Sequence, residues 1–132
     1  MTDLSKPLDS VHVYLLDDDE AVCDSLAAVL EMHGARIETF LSVNEMRAAQ
    51  LENRDGVLIF DIQLQDGLGH ELLAELRDRG ITMPAILMSG NLEKGRLQSL
   101  SGLCEILLEK PVDGDDLALR IAAVLKPGNR SR

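Results

Sequence analysis

The sequence predicts an α/β fold in which a doubly wound, five-stranded parallel sheet carries helices on both faces. Three observations support this fold class. Short apolar runs alternate with amphipathic helical patterns, polar residues follow most of the runs, and the 132-residue chain has the length of one domain. Right-handed crossovers between the parallel strands then give an expected strand order of 2-1-3-4-5.

The first half of the chain changes its hydrophobic period several times. The apolar run at residues 11–16 predicts the first strand, and Asp19 and Gly34 are expected to cap and close the helix that follows. Arg36–Phe40 predicts the second strand. Ser42 and Glu45 form a capping box for a second helix, which we expect to reach about residue 51.

The second half repeats the alternation of strand and helix. Residues 57–60 are continuously apolar, as expected for a central strand with helices on both faces. Asp66, Gly67 and Gly69 predict a loop before a third helix, and residues 85–88 and 106–108 predict the last two strands. A final helix should stop at Pro127. Glycines and serines within 91–103 leave the helix expected there weakly specified, so we expect it to be short or mobile.

Composition and charge exclude several functional classes. The net charge of -10, from 23 acidic and 13 basic residues, repels polyanions, so we expect no direct nucleic-acid binding. The polar N-terminus lacks the long apolar segment of a signal peptide or membrane span, which predicts a cytoplasmic protein without a membrane association. We expect one domain at residues 11–125, between an N-terminal extension (1–10) and a C-terminal tail (126–132).

The cysteines and histidines show no pattern of a metal or catalytic site. Cys23 and Cys104 are far apart in apolar surroundings, so both are expected to be reduced, buried thiols. The three histidines lack the spacing of metal ligands, so we do not expect them in the candidate site; they are His12, His33 and His70.

Polar side chains follow four of the predicted strands. Asp17 and Asp18 follow the first, Asp61 the third and Ser89 the fourth, and Lys110 lies just beyond the fifth. Parallel strands end at one edge of the sheet, so these residues should surround one crevice. A carboxylate that attacks a phosphoryl group needs a cation to offset the negative charge, and Mg²⁺ prefers oxygen ligands. The pattern therefore predicts a phosphoryl-transfer site with Mg²⁺ as cofactor.

Four segments together resemble the receiver domain of two-component response regulators: L-L-D-D-D-E, I-F-D-I-Q-L-Q-D-G-L-G, L-M-S-G and L-L-E-K-P-V. The resemblance runs from about Val11 to Leu125, with 43 positions from Asp18 to Asp61 and 49 from Asp61 to Lys110. It implies a CheY-like receiver of the flavodoxin-like fold, which is not a turnover enzyme and catalyses only its own phosphorylation and dephosphorylation.

The resemblance also implies roles for individual residues. Asp61 would be the nucleophile that becomes an aspartyl phosphate, and Lys110 and Ser89 would contact the phosphoryl oxygens. The Lys110–Pro111 peptide would be cis. The implied Mg²⁺ ligands are Asp17 through a water, Asp18, Asp61 and the carbonyl of Gln63.

The implied partners are a sensor histidine kinase or histidine phosphotransfer protein and a downstream protein target. No output domain is visible, so we expect a receiver that signals through protein contacts. Two departures from the family pattern affect this expectation. Leu64 and Gln65 replace the usual Met-Pro, so the loop should be more adaptable. Leu107 lies three positions before Lys110, where most receivers carry the Tyr or Phe of an aromatic switch. The stretch from Ser89 to Lys110 is about one residue shorter than is usual in the family.

Two other functions are compatible with part of this pattern. A haloacid-dehalogenase-type phosphatase also forms an aspartyl phosphate, but it needs a second Asp where this chain has Gln63. A degenerate receiver that acts as a phosphorylation-independent adaptor is the closer alternative. Leu107 and the shortened segment favour it, whereas the complete set of strand-end polar residues opposes it. Asp19 and Asp66 are interpreted as a helix cap and a turn residue, outside the site.

Overall fold

The computed structural model describes residues 6–51, 55–90, 100 and 102–125, and it confirms the predicted α/β fold. Five parallel strands form the main sheet in the order β2-β1-β3-β6-β7, which is 2-1-3-4-5 when only its own strands are counted. These strands are β1 (His12–Leu16), β2 (Arg36–Phe40), β3 (Val57–Asp61), β6 (Ala85–Ser89) and β7 (Ile106–Glu109). Two further strands, β4 (Gln63–Leu64) and β5 (Gly67–Leu68), form a short antiparallel hairpin after β3.

Four helices are described, and their ends follow local capping rules. They are α1 (Glu20–Met32), α2 (Val43–Ala48), α3 (Gly69–Asp78) and α4 (Gly114–Leu125). The Asp19 carboxylate caps α1, and the Ser42 hydroxyl accepts a hydrogen bond from the N–H of Glu45 at the start of α2. Gly34 and Gly80 follow α1 and α3 with φ of 101° and 90°, the left-handed conformation that closes a helix.

The central strand separates two hydrophobic cores, because its side chains alternate between the faces of the sheet. Leu58 and Phe60 point into the core beneath α2 and α3, whereas Val57 and Ile59 point into the core beneath α1 and α4. All five residues of β3 are buried, as predicted for a central strand. This burial fixes the position of Asp61, the last residue of the strand.

Several details differ from the sequence-based expectations. Helix α2 ends at Ala48, before the predicted end, because the extended chain beyond it carries Leu51 to the edge of the first core. The expected N-terminal extension includes Leu8, which is fully buried in the second core, with its N–H bonded to the carbonyl of His33. Cys104 is half-buried, not buried as expected.

Two predictions fall on residues outside the described ranges. The weakly specified helix within 91–103 lies almost wholly outside them, as does the tail at 126–132. Among the helices that are described, none combines the length and the apolar character needed to cross a bilayer.

Candidate functional site

Three carboxylates meet at the edge of the sheet where β1 and β3 end. Leu16 pairs with Phe60 across these strands, so the residues that follow emerge side by side. Asp17, Asp18 and Asp61 each place a carboxylate oxygen within 4.8 Å of the others. Asp17 is fully buried, Asp61 is 6% exposed and Asp18 is half-buried. The structure thus brings together the acidic residues that the sequence placed at this edge.

Lys110 provides the positive charge of the cluster. Its Nζ lies 2.7 Å from Oδ2 of Asp17 and 3.2 Å from Oδ2 of Asp61. Beyond β7 the lysine is held by its backbone, since its N–H donates to the carbonyl of Ser89 at 2.8 Å. The Lys110–Pro111 peptide is cis, as the resemblance implied. The ammonium group therefore bridges two carboxylates that would otherwise repel each other.

Burial and charge set the protonation preferences of this cluster. Burial raises the pKa of Asp61 and the nearby Asp17 adds to the rise, although the charge of Lys110 opposes both. Burial acts to lower the pKa of Lys110, but its hydrogen bond to Asp17 and the charge of Asp61 outweigh that effect and leave the pKa raised. The lysine therefore stays charged beside a carboxyl group that is costly to ionise.

Ser89 ends β6 at the same edge of the sheet. Asp61 pairs with Met88 in the neighbouring strand β6, so Ser89 lies one residue further along the sheet edge than Asp61. Ser89 is buried, with 3% of its surface exposed to solvent. The sequence predicted this placement, and the structure puts a hydroxyl-bearing residue between the ends of β3 and β7.

The loop after Asp61 is tied down at several points. The N–H of Gln63 donates to Oδ1 of Asp61 at 3.1 Å, and the N–H of Gln65 donates to Oδ2 of Asp18 at 2.9 Å. These two hydrogen bonds hold the loop against the acidic cluster, and its greater adaptability stays a prediction. Without proline, the backbone N–H of Gln65 is available to hold the turn against the acidic cluster.

Asp66 fixes the other side of the same turn. Its carboxylate accepts hydrogen bonds from the N–H groups of Val43 at 2.8 Å and Asn44 at 3.0 Å, which are unpaired donors at the start of α2. These hydrogen bonds lower the pKa of Asp66. Asp66 is therefore structural, as the sequence suggested, but it acts as a cap for a distant helix and not only as a turn former.

Gly69 lets α3 begin directly against the end of β3. A Cβ at this position would overlap the carbonyl oxygen of Asp61, so any side chain would displace the strand end. The Gly69 N–H instead donates to the carbonyl of Ile62 at 2.8 Å. A backbone hydrogen bond between Gly69 and Ile62 thus closes the loop between Asp61 and α3.

A cavity of about 580 Å³ lies beside Lys110, between α1 and the turn before α4. Its lining is mainly apolar and includes Val22, Leu26, Pro111 and Val112. One side of the acidic cluster is therefore flanked by an apolar recess.

The donor set of the cluster suits a hard cation. The three carboxylates offer only oxygen atoms, which Mg²⁺ prefers over nitrogen or sulfur. The Gln63 residue, whose carbonyl the resemblance adds to this set, is exposed at the start of the hairpin. The residues present therefore fit Mg²⁺.

Cys23 is a neighbour of the site that the sequence did not connect to it. Its thiol donates to the carbonyl oxygen of Asp17 at 3.3 Å, and burial together with the charge of Asp17 raises its pKa to about 11. The thiol is thus an unreactive structural group. Histidines again play no part in the cluster: His33, at the far end of α1, pairs with Asp115 at 2.8 Å.

Comparisons with known proteins agree with this geometry. The family model described as "Response regulator receiver domain" matches residues 13–122. The transcriptional regulatory protein FixJ of Azorhizobium caulinodans is 34% identical over 124 residues, which cover 93% of this chain and 57% of that protein. The C4-dicarboxylate transport transcriptional regulatory protein DctD of Pseudomonas aeruginosa is 30% identical over 113 residues, or 84% of this chain and 24% of that protein.

A solved structure shows the same fold. A CheY-like response regulator receiver domain protein from Methanospirillum hungatei JF-1 superimposes with a TM-score of 0.79 at 28% identity, covering 89% of this chain and 94% of that one. The chain spans about half or less of the length of most curated relatives it matches. With its strand order, its acidic cluster and these matches, the chain belongs to the response regulator receiver domain family of two-component systems.

Proposed function

We propose that this protein is a cytoplasmic phospho-receiver, which takes a phosphoryl group onto Asp61 from a histidine kinase or histidine phosphotransfer protein and signals through protein contacts. Response regulators are typically phosphorylated by histidine kinases, and their receiver domains are generally not turnover enzymes. The proposal for this chain is that it promotes its own phosphorylation and dephosphorylation. Residues 11–125 would form the receiver unit.

The observation that carries the proposal is the position of Asp61. Its carboxylate ends the buried central strand, lies within the cluster with Asp17 and Asp18, and has the Lys110 ammonium at 3.2 Å. A nucleophilic carboxylate must keep its orientation while it attacks an anionic donor. The N–H of Gln63, bonded to Oδ1, supplies part of that orientation.

Receiver domains bind Mg²⁺ at an acidic pocket, and we propose that here the ligands are Asp18, Asp61, the Gln63 carbonyl and, through a water, Asp17. The ion would offset the negative charge that the carboxylate nucleophile and the phosphoryl group bring together. The fully buried Asp17, already paired with Lys110, favours an indirect part over direct ligation.

Lys110 and Ser89 are assigned to the phosphoryl group itself. The lysine ammonium is within hydrogen-bond distance of Asp61 and supplies a charged donor for an oxygen on the group transferred there. Ser89, at the end of the adjacent strand, would donate its hydroxyl to another oxygen. The Asp61 oxygen forms the new bond to phosphorus as the bond between phosphorus and the donor atom breaks, and the donor leaves with that electron pair.

The alternative is a degenerate receiver that binds partners without phosphorylation. Leu107, half-buried in β7 and packed against the first core, favours it because the family's usual aromatic switch is missing there. The two functions differ in one measurable step. Only the phospho-receiver forms a covalent acyl phosphate.

Incubation with acetyl phosphate, followed by intact mass spectrometry, tests the proposal. We expect one added phosphoryl group in the presence of Mg²⁺ and none when a chelator removes the ion. An unchanged mass at millimolar Mg²⁺, with the protein folded by circular dichroism, would favour the adaptor.

A further inference from the structure

A backbone N–H in the turn after the phosphoacceptor strand contacts one of the acidic residues. The N–H of Gln65 donates to Oδ2 of Asp18 at 2.9 Å, across 47 positions of sequence. We propose that Gln65 is a positioning residue for the metal site, because its backbone N–H holds the Asp18 carboxylate in the orientation that binds Mg²⁺. This inference rests on the proposed function, since it concerns the same site.

The donor belongs to the main chain, not to the side chain. The side chain of Gln65 is exposed, and any residue other than proline would present the same N–H group. The receivers that this chain resembles usually carry proline at this position. The bond to Asp18 is therefore a property of this chain and does not follow from membership of the family.

The turn that presents this N–H is fixed from its other side. Gln65 and Asp66 form the two-residue loop between β4 and β5, and the Asp66 carboxylate is bonded to the N–H groups of Val43 and Asn44. The turn thus connects Asp18 to the start of α2. Anchored in this way, the Gln65 N–H meets the carboxylate from a fixed direction.

Hydrogen bonds to metal-binding carboxylates raise metal affinity by orienting the ligand before the ion arrives. Asp18 is half-buried and follows the end of β1, so its side chain needs such a restraint. A carboxylate has about four lone-pair sites, so accepting one N–H leaves it able to bind a cation. Loss of the N–H should therefore weaken Mg²⁺ binding without removing any ligand.

Proline at this position would replace the donated hydrogen with its ring Cδ. Ser10 is the one non-glycine residue with a positive φ in the described part of the chain, so the φ of Gln65 is not positive and its sign is compatible with proline. Leu64, which precedes it, lies in an extended strand, the conformation favoured before proline. Gln65→Pro thus removes the N–H and places the ring Cδ where its hydrogen pointed, so the Asp18 carboxylate must move away. Gln65→Ala removes the side chain and keeps the N–H.

The test compares these two variants with the wild-type protein by calorimetric titration with Mg²⁺. We expect Gln65→Ala to bind like the wild type and Gln65→Pro to bind about tenfold more weakly, the lower end of the usual effect of such a partner. Equal or tighter binding by a folded Gln65→Pro would overturn the role of Gln65 and leave the proposed function intact. Absence of Mg²⁺ binding by the wild type would overturn both.

Amide hydrogen exchange tests the contact without a proline variant. In wild-type protein without Mg²⁺, the Gln65 amide should be protected, and Asp18→Ala should accelerate its exchange. The Gly69 amide, bonded to the carbonyl of Ile62, is the internal control and should keep its protection. A Gln65 amide that exchanges equally fast in both proteins would overturn the inference.

Discussion

The Lys110 ammonium group lies 2.7 Å from the fully buried carboxylate of Asp17, a residue 93 positions earlier in the chain. The same group is 3.2 Å from Asp61, so the lysine is shared between a buried carboxylate and the candidate nucleophile. A cation bound by the acidic cluster would compete with this lysine for negative charge. Lys110 therefore has two separable effects, one on the stability of the fold and one on metal binding.

The first prediction concerns Lys110→Met. Removal of the ammonium leaves the buried Asp17 without its charged partner, which should lower the free energy of unfolding by roughly 1 to 3 kcal/mol in urea denaturation without Mg²⁺. Mg²⁺ should then stabilise the variant more than the wild type, because the competing positive charge is gone.

Arg120→Met is the matched control. Arg120 makes an ion pair of 2.8 Å with Asp116, but both side chains are about half exposed. Its loss should cost at most about 1 kcal/mol. Equal decreases in the free energy of unfolding of Lys110→Met and Arg120→Met would show that the pair of Lys110 and Asp17 stabilises the fold no more than an exposed ion pair.

The second prediction concerns Asp18→Ala. If Mg²⁺ binds the native cluster and not the unfolded chain, an ion concentration of ten times Kd should stabilise the wild type by about 1.4 kcal/mol. Asp18→Ala should lose most of this effect. Thermal midpoints measured across a Mg²⁺ titration check this, and an equal rise in both proteins would place the ion elsewhere.

The third prediction concerns pH and Asp66. The N–H groups of Asn44 and Val43 lower the folded-state pKa of Asp66 below its ordinary value of 3.8, so the ionised carboxylate stabilises the fold. This contribution is complete above the unfolded-state pKa and is lost as pH falls through the folded-state pKa. Asp66→Ala should therefore have a lower urea midpoint than the wild type at neutral pH, and the difference should shrink below about pH 4.

Asp66→Asn separates charge from capping in this experiment. The single amide oxygen can accept one of the two hydrogen bonds from the start of α2, so this variant should lie between the wild type and Asp66→Ala at neutral pH. Because neither asparagine nor alanine ionises, the difference in stability between Asp66→Asn and Asp66→Ala should not depend on the titration of a carboxyl group at this position. A difference between wild type and Asp66→Ala that is constant from neutral pH down to about pH 3 would contradict the assignment.

The sequence was sufficient for the sheet and for the residues at its edge, because strand periodicity and strand ends are local signals. It did not reveal which carboxylate Lys110 contacts, since that depends on side-chain directions at the meeting point of three strands. Helix α2 ends before the predicted residue because Leu51 joins the core, which is a tertiary effect. The bond from Gln65 to Asp18 was missed because a backbone donor leaves no mark in sequence beyond the absence of proline.

The central claim is that Asp61 is the residue that accepts the phosphoryl group, and Asp61→Asn tests it most directly. The amide is nearly isosteric with the carboxylate but is not a nucleophile. Wild type, Asp61→Asn and the matched control Asp66→Asn would be incubated with acetyl phosphate and Mg²⁺, and intact masses recorded before and after hydroxylamine. We predict one hydroxylamine-labile phosphoryl group on the wild type and on Asp66→Asn, and none on Asp61→Asn. A folded Asp61→Asn protein that gains this group at the wild-type rate would contradict the account.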